Sequence, residues 1–299
     1  MNIRTKTIMV LIVLVISIFA FSISQLLAEE SYRLPTDDLT IFDVDTRPVF
    51  SYGSLRTIDE AISAVEKVIS DSFGHMAVGD STEKYSVYKG KEGALTFFPA
   101  SGGFWYFKYS LGGEECVDAN IKADASAQAI ANQAIESLQM FLAENWEYQL
   151  DTVTYLKKDG AASLTGAYDV PQNELVAYNF RRSVDGLPFF GDSAYATIFI
   201  DRCRKVHGIR MNWRKDVVSV AYVEIDSVES LWGHVNRTVD DRAVHGILHS
   251  MSIRCGYYEP PVSEKAISLA PLCRVYQIFD DDEVGLVSFS ERLPIVLKQ

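Results

Sequence analysis

The sequence predicts an α+β protein built from antiparallel sheets, each packed by one or two helices. Two observations indicate this class. Segments with apolar residues at helical spacing alternate along the chain with groups of short runs rich in β-branched and aromatic residues. Gly-containing turns separate these short runs, which is the pattern of an antiparallel meander. A helix followed by several strands recurs three times, and either duplicated units or a single mixed domain would produce this order.

The chain opens with a predicted export signal. Arg4 and Lys6 precede an uncharged run from Ile8 to Phe21, as the n-region and h-region of such a signal do. Small residues at the −3 and −1 positions favour cleavage after Ser24. The uncharged stretch up to Ala28 has about 21 residues, enough to cross a hydrocarbon core of roughly 30 Å. We therefore predict that residues 1–28 are a signal peptide or a membrane anchor, and that the rest is extracytoplasmic.

The first predicted domain covers residues 29–118. Thr57-Ile-Asp-Glu60 forms a capping box, from which a helix should run to about Ser70. Strands are expected at 85–90, 93–99 and 103–112, where aromatic and β-branched residues concentrate between glycines. A soft boundary follows in 114–124.

The middle domain, residues 119–226, begins with the strongest helical segment, predicted from about Asp124 to Asn145. Strands then fill 153–225, with Asp185-Gly186 as one of their turns. The C-terminal domain, residues 227–299, should start with two short helices, VESLWGHVN and VDDRAVHGILHSM, and end in four strands.

Two stretches carry a resemblance to a known family. Tyr178 to Lys215 contains a strand, a tight VDGLPFFGD connection, a second strand, an acidic turn and a strand that ends in Asn-Trp. Nearer the C-terminus, GYY at Gly256 is followed by LAPLCRVY at Leu269. This layout resembles the PepSY-type module of thermolysin-like protease propeptides and is similar to the extracytoplasmic YycH and YycI regulators. The resemblance implies PepSY- or cystatin-like units, without catalytic residues, that bind or inhibit a partner.

The cysteines indicate the compartment in which the protein works, and the net charge indicates which classes of partner are unfavourable. The net charge of −12 disfavours a nucleic-acid partner. Of the four cysteines, Cys255 and Cys273 lie in strand-like runs that flank a proline-containing connection, so a cross-strand disulfide is geometrically reasonable. Four free thiols are the alternative. No CxxC spacing occurs, which disfavours a cysteine-based metal or redox site.

The aromatic run at Phe104, Trp105 and Tyr106, together with Trp213, is the candidate partner-binding surface. In a strand these side chains alternate, so that one face could line a carbohydrate- or peptide-binding groove while the other packs into the core. A central strand covered on both faces is the alternative interpretation.

Catalytic and metal-binding motifs are weak. His245 and His249 are spaced four apart on a predicted helix but lack the glutamate of helical zinc enzymes, and no third ligand is recognisable. Asp280 to Glu283 is expected to be a solvated hairpin turn. We expect no catalytic residue, metal or cofactor.

Together these features favour a non-catalytic regulatory or inhibitory protein that acts on a protein or peptide partner at the cell envelope. The alternatives are a secreted hydrolase whose acid and base residues are dispersed along the chain, and a structural envelope component.

Overall fold

The computed structural model describes residues 40–69, 77–109, 121–138, 146–158, 172–215, 217–266 and 268–295. Within these ranges there are three α-helices: α1 (Ile58–Ile69), α2 (Ala125–Ser137) and α3 (Val228–Arg242). The strands of the same ranges are β1 (Thr46–Tyr52), β2 (Ala77–Ser81), β3 (Ser86–Lys89), β4 (Gly93–Phe98), β5 (Gly103–Lys108), β6 (Trp146–Lys158), β7 (Gln172–Val184), β8 (Leu187–Phe190), β9 (Tyr195–Asp201), β10 (Val206–Met211), β11 (Val217–Glu224), β12 (Ile247–Tyr258), β13 (Ser268–Leu269), β14 (Pro271–Asp281) and β15 (Gly285–Pro294). Short 3₁₀ turns occupy Thr40–Phe42 and Ala243–His245.

The fold is mostly antiparallel sheet with a few helices, so the predicted α+β class is confirmed at that level. The chain divides into two compact units. The larger consists of Val44–Ile225 with Gly256–Leu272, and the smaller contains Asp226–Cys255 with Cys273–Ile295. The three-domain organisation stays a prediction.

The larger unit contains two sheets. In the main one the strands run in the order β8-β7-β9-β10-β5-β4-β3-β2, and β6 pairs with β7 in addition. At its β8 end, the last two residues of β12 pair with Phe189 and Phe190 in parallel. The second sheet has the order β11-β1-β13, with both pairings antiparallel.

Helices α1 and α2 cover one face of the main sheet because their small apolar residues allow close packing. Ala61 and Ala64 of α1, and Ala127 and Ala131 of α2, are fully buried in the core formed with β4, β5, β7, β9 and β10. Burial of this continuous apolar surface is the main stabilising contribution to the unit.

Local signals of the sequence correctly located several element ends. Thr57 and Glu60 form the predicted capping box, with Glu60 N donating to Thr57 Oγ1 at 3.3 Å and Thr57 N donating to Glu60 Oε2 at 2.8 Å. Asp124 caps α2 by accepting from Ala127 N at 3.0 Å. Asp185 and Gly186 both have positive φ, as a two-residue hairpin between β7 and β8 requires.

The smaller unit places α3 with strands β12, β14 and β15, which pair in the order β15-β14-β12. Leu231 and Val235 are the buried residues of α3. A polar contact also joins helix and sheet: Gln277 Nε2 donates to Thr238 Oγ1 at 3.0 Å, and Arg242 Nη1 donates to Gln277 Oε1 at 2.5 Å.

Three predicted helices differ from the structure, in two places. The two short helices expected after Asp226 are instead the single helix α3, and His249 lies in strand β12 rather than on a helix. Gly246 ends the helical segment with a φ of 109°, and the position requires glycine because the backbone of Asp280 leaves no room for a side chain. The second difference is at α2, which ends at Ser137, while 139–145 lie outside the described residues.

The predicted signal, residues 1–28, also lies outside the described residues. In the part of the chain that the structure describes, no helix is both long and apolar enough to span a membrane.

Candidate functional site

Strand β11 is an exposed, apolar edge strand. It lies at the end of the sheet β11-β1-β13, so one of its edges has no partner strand among the described residues. Five consecutive residues, Val218 to Tyr222, are exposed, and the exposed fractions of Val218, Val220 and Tyr222 are 55%, 58% and 68%. Exposure of consecutive residues means that both faces of the strand, as well as its edge, are open to solvent.

The register with β1 explains how these side chains are distributed. Ala221 pairs with Val49 and Ser219 pairs with Phe50, so Val220 between them has no partner in β1. This is a β-bulge, which interrupts the alternation of side chains. Directly paired residues share a face, so Tyr222 lies on the face of its partner Pro48. On the other side of the bulge Val218 pairs with Ser51 and lies on the opposite face. Apolar side chains are therefore present on both faces of β11.

Charge distinguishes β11 from the longer strands that pair on one side only, β2, β6 and β15; the remaining one in the described part of the chain, β13, has just two residues. Such strands commonly carry charged residues, which discourage pairing with another chain. Asp80 lies in β2, Asp151 in β6 and Glu291 in β15. In β11 the first charged residue is Glu224, at its last position. Apart from the bulge, β11 has none of the usual protections against adding a strand.

Strand β1, which supports β11, is fixed by an aromatic cluster. The ring of Phe50 lies 5.0 Å from Tyr257, 5.8 Å from Trp146 and 6.5 Å from Phe189, measured between centroids. Tyr257 also donates from its hydroxyl group to Pro48 O at 3.0 Å. These contacts tie the middle of β1 to β6, β8 and the end of β12. The strand next to the edge is thus held by side chains from three elements.

A buried ion pair fixes the other end of β1 and the entry to β11. Arg182 of β7 donates from Nη2 to Glu259, and neither side chain has exposed surface. The same guanidinium donates from Nη1 to Arg214 O at 3.0 Å, three residues before β11. The hydroxyl group of Tyr52, the last residue of β1, lies 3.5 Å from Glu259 Oε1. One charged pair therefore contacts the last residue of β1 and the backbone that leads into β11.

Arg214 extends this cluster, which we call the buried ion-pair cluster (Tyr52, Arg182, Arg214 and Glu259). Its guanidinium donates to three carbonyl oxygens that follow Glu259, those of Pro260 at 3.3 Å, Pro261 at 3.2 Å and Glu264 at 2.8 Å. These bonds hold the segment after β12 against the start of β11.

Aromatic rings surround the Arg182 guanidinium. Its Cζ lies 4.5 Å from the Trp146 centroid, 4.8 Å from Phe189 and 5.9 Å from Trp213. Such contacts stabilise a desolvated cation.

The electrostatics of the cluster follow from its burial. Burial raises the pKa of the Glu259 carboxyl, while the charges of Arg182 and Arg214 oppose that rise. Burial also raises the pKa of the Tyr52 hydroxyl, and the neighbouring Glu259 adds to this effect. Because Arg182 and Glu259 are inaccessible, the arrangement positions β1 and β11 and does not reach a substrate.

The predicted partner-binding residues lie elsewhere. Phe104, Tyr106 and Trp213 are fully buried in the core of the larger unit, and Trp213 Nε1 donates to Ala194 O at 2.9 Å. Trp105 is half-buried and donates from Nε1 to Asn212 Oδ1 at 2.7 Å. Strand β5 pairs with both β4 and β10, which agrees with the alternative of a covered central strand. Partner binding by these four residues stays a prediction, for which only Trp105 offers accessible surface.

The predicted disulfide between Cys255 and Cys273 is confirmed. Their Cα atoms are 4.0 Å apart in the neighbouring strands β12 and β14. Cys203 is disulfide-bonded as well.

Histidine placement gives no metal centre in the described part of the chain. His245 packs against the ring of Phe289, with 5.0 Å between centroids, and His249 lies in β12. Among the described residues there is no group of three or more histidine, cysteine, aspartate or glutamate side chains that could hold a metal ion.

A second exposed apolar group belongs to the smaller unit. Val244, Ile247, Val284 and Leu286 have exposed fractions between 63% and 82%. They lie on turns and at the beginnings of β12 and β15, not along the length of a strand edge. Leu286 lies on the edge strand β15, but the other three residues lie on turns or at the start of β12, so this group forms no continuous apolar stretch along one edge.

Comparisons with known proteins add little to this description. No family model matches the chain, and no curated protein matches it. The crystal structure of an uncharacterized protein from Eubacterium rectale ATCC 33656 is similar over 83% of this chain and 82% of its own, with 12% identity and a TM-score of 0.45. A likeness of this degree leaves fold and function to be argued from the residues of the chain itself.

Proposed function

We propose that this chain is a non-catalytic regulatory protein of the cell envelope, and that it binds an extended segment of a protein partner along the outer edge of β11. The observation that supports this is a five-residue exposed stretch, Val218 to Tyr222, without a charged side chain. An unpaired edge offers backbone donors and acceptors to an added strand, and its side chains provide specificity.

The contacts that fix β1 also hold the neighbouring strand β11 in an ordered conformation that a partner can bind. Pre-organised surfaces bind with a smaller entropic cost, because their conformation is already fixed before the partner arrives. Here Phe50 and Tyr52 of β1 contact the aromatic residues and the buried ion-pair cluster. Strand β11 therefore presents a fixed template for a partner.

The extracytoplasmic location is part of the proposal. Disulfides form and persist in oxidising compartments, and Cys255–Cys273 accords with the predicted export of the chain. If residues 1–28 are retained as an anchor, tethering would raise the effective concentration of a weakly binding edge near a membrane partner. In the finer form of the proposal, the units are PepSY-like and the partner is a membrane-associated kinase or protease.

Site-specific photo-crosslinking in the native host tests this function. The crosslinking amino acid benzoylphenylalanine replaces Val220 in the full-length chain, and membranes are irradiated and analysed for a crosslinked protein. We expect one discrete adduct with an envelope protein, because position 220 would lie at the centre of the added strand.

A matched variant carries the same crosslinker in place of Leu286, whose side chain is exposed to a similar degree, 63% against 58% for Val220. It should not form that adduct. Equal yields of the same adduct at both positions, or no adduct at position 220, would contradict the proposed site.

A further inference from the structure

The exposed edge of β11 has an acidic end. Glu224 is the last residue of the strand and pairs with Thr46, the first residue of β1. Asp45 precedes Thr46, and its carbonyl oxygen accepts from Ile225 N at 2.9 Å. Both acidic residues are exposed. Among the residues that the structure describes, neither carboxylate forms an ion pair.

The nearest cation in the strand pair does not neutralise this end at the surface. Arg47 pairs with Val223 across the two strands, but its exposed fraction is 7%, and it is engaged in interactions of its own. Two exposed carboxylates therefore dominate the field that a partner meets beside Val223. Opposite charges close to such groups are attracted, most strongly at low salt.

The other end of β11 has a mixed charge. Arg214 is buried among carbonyl oxygens, and Lys215 Nζ lies 2.6 Å from Glu60 Oε1. In the sequence, Asp216 comes directly after Lys215 and immediately precedes β11. Acidic and basic residues alternate here, so this end does not favour one sign of charge.

We infer that the segment that adds to β11 is an extended apolar peptide with a lysine or arginine at the end that lies beside Asp45 and Glu224. This inference rests on the proposed function and specifies its ligand. Val218, Val220 and Tyr222 favour β-branched or aromatic side chains in the added strand, because such cross-strand pairs are stabilising. Because parallel and antiparallel pairing place the hydrogen bonds differently, we expect the edge to favour one direction, and this direction decides which end of the peptide lies beside the acidic residues. An antiparallel peptide carries its cation at the amino end, and a parallel peptide carries it at the carboxyl end.

Three synthetic peptides test the inference. Each is an eight-residue alternation of threonine and valine with blocked termini; one is neutral, one has lysine at the amino end and one has lysine at the carboxyl end. Binding to the exported part of the chain, with its disulfides intact, is measured by fluorescence anisotropy at low and at physiological salt. We expect one lysine peptide to bind about two- to fivefold more tightly than the neutral one at low salt, which is the effect of a solvent-exposed ion pair. The other lysine peptide should show no such gain.

The comparison of the two lysine peptides excludes a non-specific effect. The chain has a net charge of −12 and attracts any cationic peptide weakly. Such attraction would strengthen both lysine peptides alike, and that result would overturn the inference.

Paired variants locate the effect on the chain. Asp45→Asn with Glu224→Gln should remove the preference for lysine at one end. Asp80→Asn with Glu83→Gln changes the net charge equally at exposed positions around β2, and it should leave the preference in place. The reverse pattern would refute the assignment to the acidic end.

The outcomes separate the inference from the proposed function. If all three peptides bind with equal affinity, the inference that the ligand has a basic end is wrong, while the proposal of strand addition at β11 stands. Failure of every peptide to bind at millimolar concentration would count against strand addition itself.

Discussion

Replacing Glu259 by glutamine should strongly destabilise the larger unit. The substitution keeps the shape of the side chain but removes the negative charge that faces Arg182, and both residues have no exposed surface. A guanidinium remains charged in a protein, so Arg182 would keep its charge without a counter-ion in a desolvated site. The hydrogen bond to Arg214 O and the rings of Trp146, Phe189 and Trp213 would still stabilise it.

The expected loss follows from the burial of the pair. Removing one partner of a buried ion pair typically costs about 3–5 kcal/mol. The three cation–π contacts are present in both proteins and therefore cancel in the difference. The glutamine amide oxygen can still accept a hydrogen bond from the guanidinium, so we expect the free energy of unfolding to fall by about 3 kcal/mol in Glu259→Gln, at the lower end of this range.

Urea denaturation of the exported chain, followed by tryptophan fluorescence with intact disulfides, measures this change. The double variant Arg182→Met with Glu259→Gln is the control, because it also removes the cation that the single variant leaves unpaired. It should be more stable than Glu259→Gln alone, and with Arg182→Met as the second single variant the cycle gives the coupling energy between the two positions. A loss below about 1 kcal/mol in the single variant, with no coupling, would refute the role assigned to the pair.

Three further changes probe other parts of the structure. Asp124 caps α2 and contacts Arg204, which holds the pKa of the Asp124 carboxyl at about 2, below the ordinary 3.8. The stability that this carboxylate contributes is present above pH 4 and is lost as the pH falls towards 2. Asp124→Asn should therefore remove that loss from a pH series of urea midpoints, and an unchanged series would contradict the assignment. Cys255→Ser with Cys273→Ser removes a disulfide between residues 18 positions apart and should lower the free energy of unfolding by about 3 kcal/mol. An unchanged free energy of unfolding would show that the disulfide is dispensable. Phe50→Ala empties the aromatic cluster under β1 and should cost about 3–5 kcal/mol in urea unfolding, whereas a cost near zero would show that β1 is held elsewhere.

The parts of the fold that the sequence predicted depend on short-range chemistry. Thr57 and Glu60 are three residues apart and cap α1 whatever the rest of the chain does. Asp185-Gly186 specifies a hairpin because both positions accept positive φ. The disulfide partners Cys255 and Cys273 could be proposed because both lie in strand-like runs around one short connection.

The candidate site was not predictable in the same way because it depends on pairing between distant parts of the chain. The run VVSVAYVE was predicted as a strand, but its role as an edge follows from pairing with β1, where Tyr52 lies opposite Val217. Arg182 and Glu259 are separated by 77 residues and carry no local signal of their contact. The strand pattern alone would predict that Arg182 is exposed to solvent. The folded structure is needed to show that it is buried.

The aromatic run at Phe104 to Tyr106 shows a second limit of prediction from sequence, since burial depends on elements far away in the chain. Alternation in a strand predicts two faces but not what covers them, so Phe104 and Tyr106 could have lined a groove. Helices α1 and α2 cover that face, and both side chains are buried with them in one core. In the larger unit an exposed apolar stretch lies instead on β11, at the end of the sheet β11-β1-β13.

Amide hydrogen exchange along β11 tests the central claim most directly. Without a ligand, the amides of Val218 to Tyr222 that do not bond to β1 should exchange rapidly, because they point to solvent. When the lysine peptide that binds more tightly is added at saturation, alternate amides of β11 should become protected, while those of β1 stay as they were. Protection confined to other strands, with β11 unchanged in the presence of a bound peptide, would contradict the account.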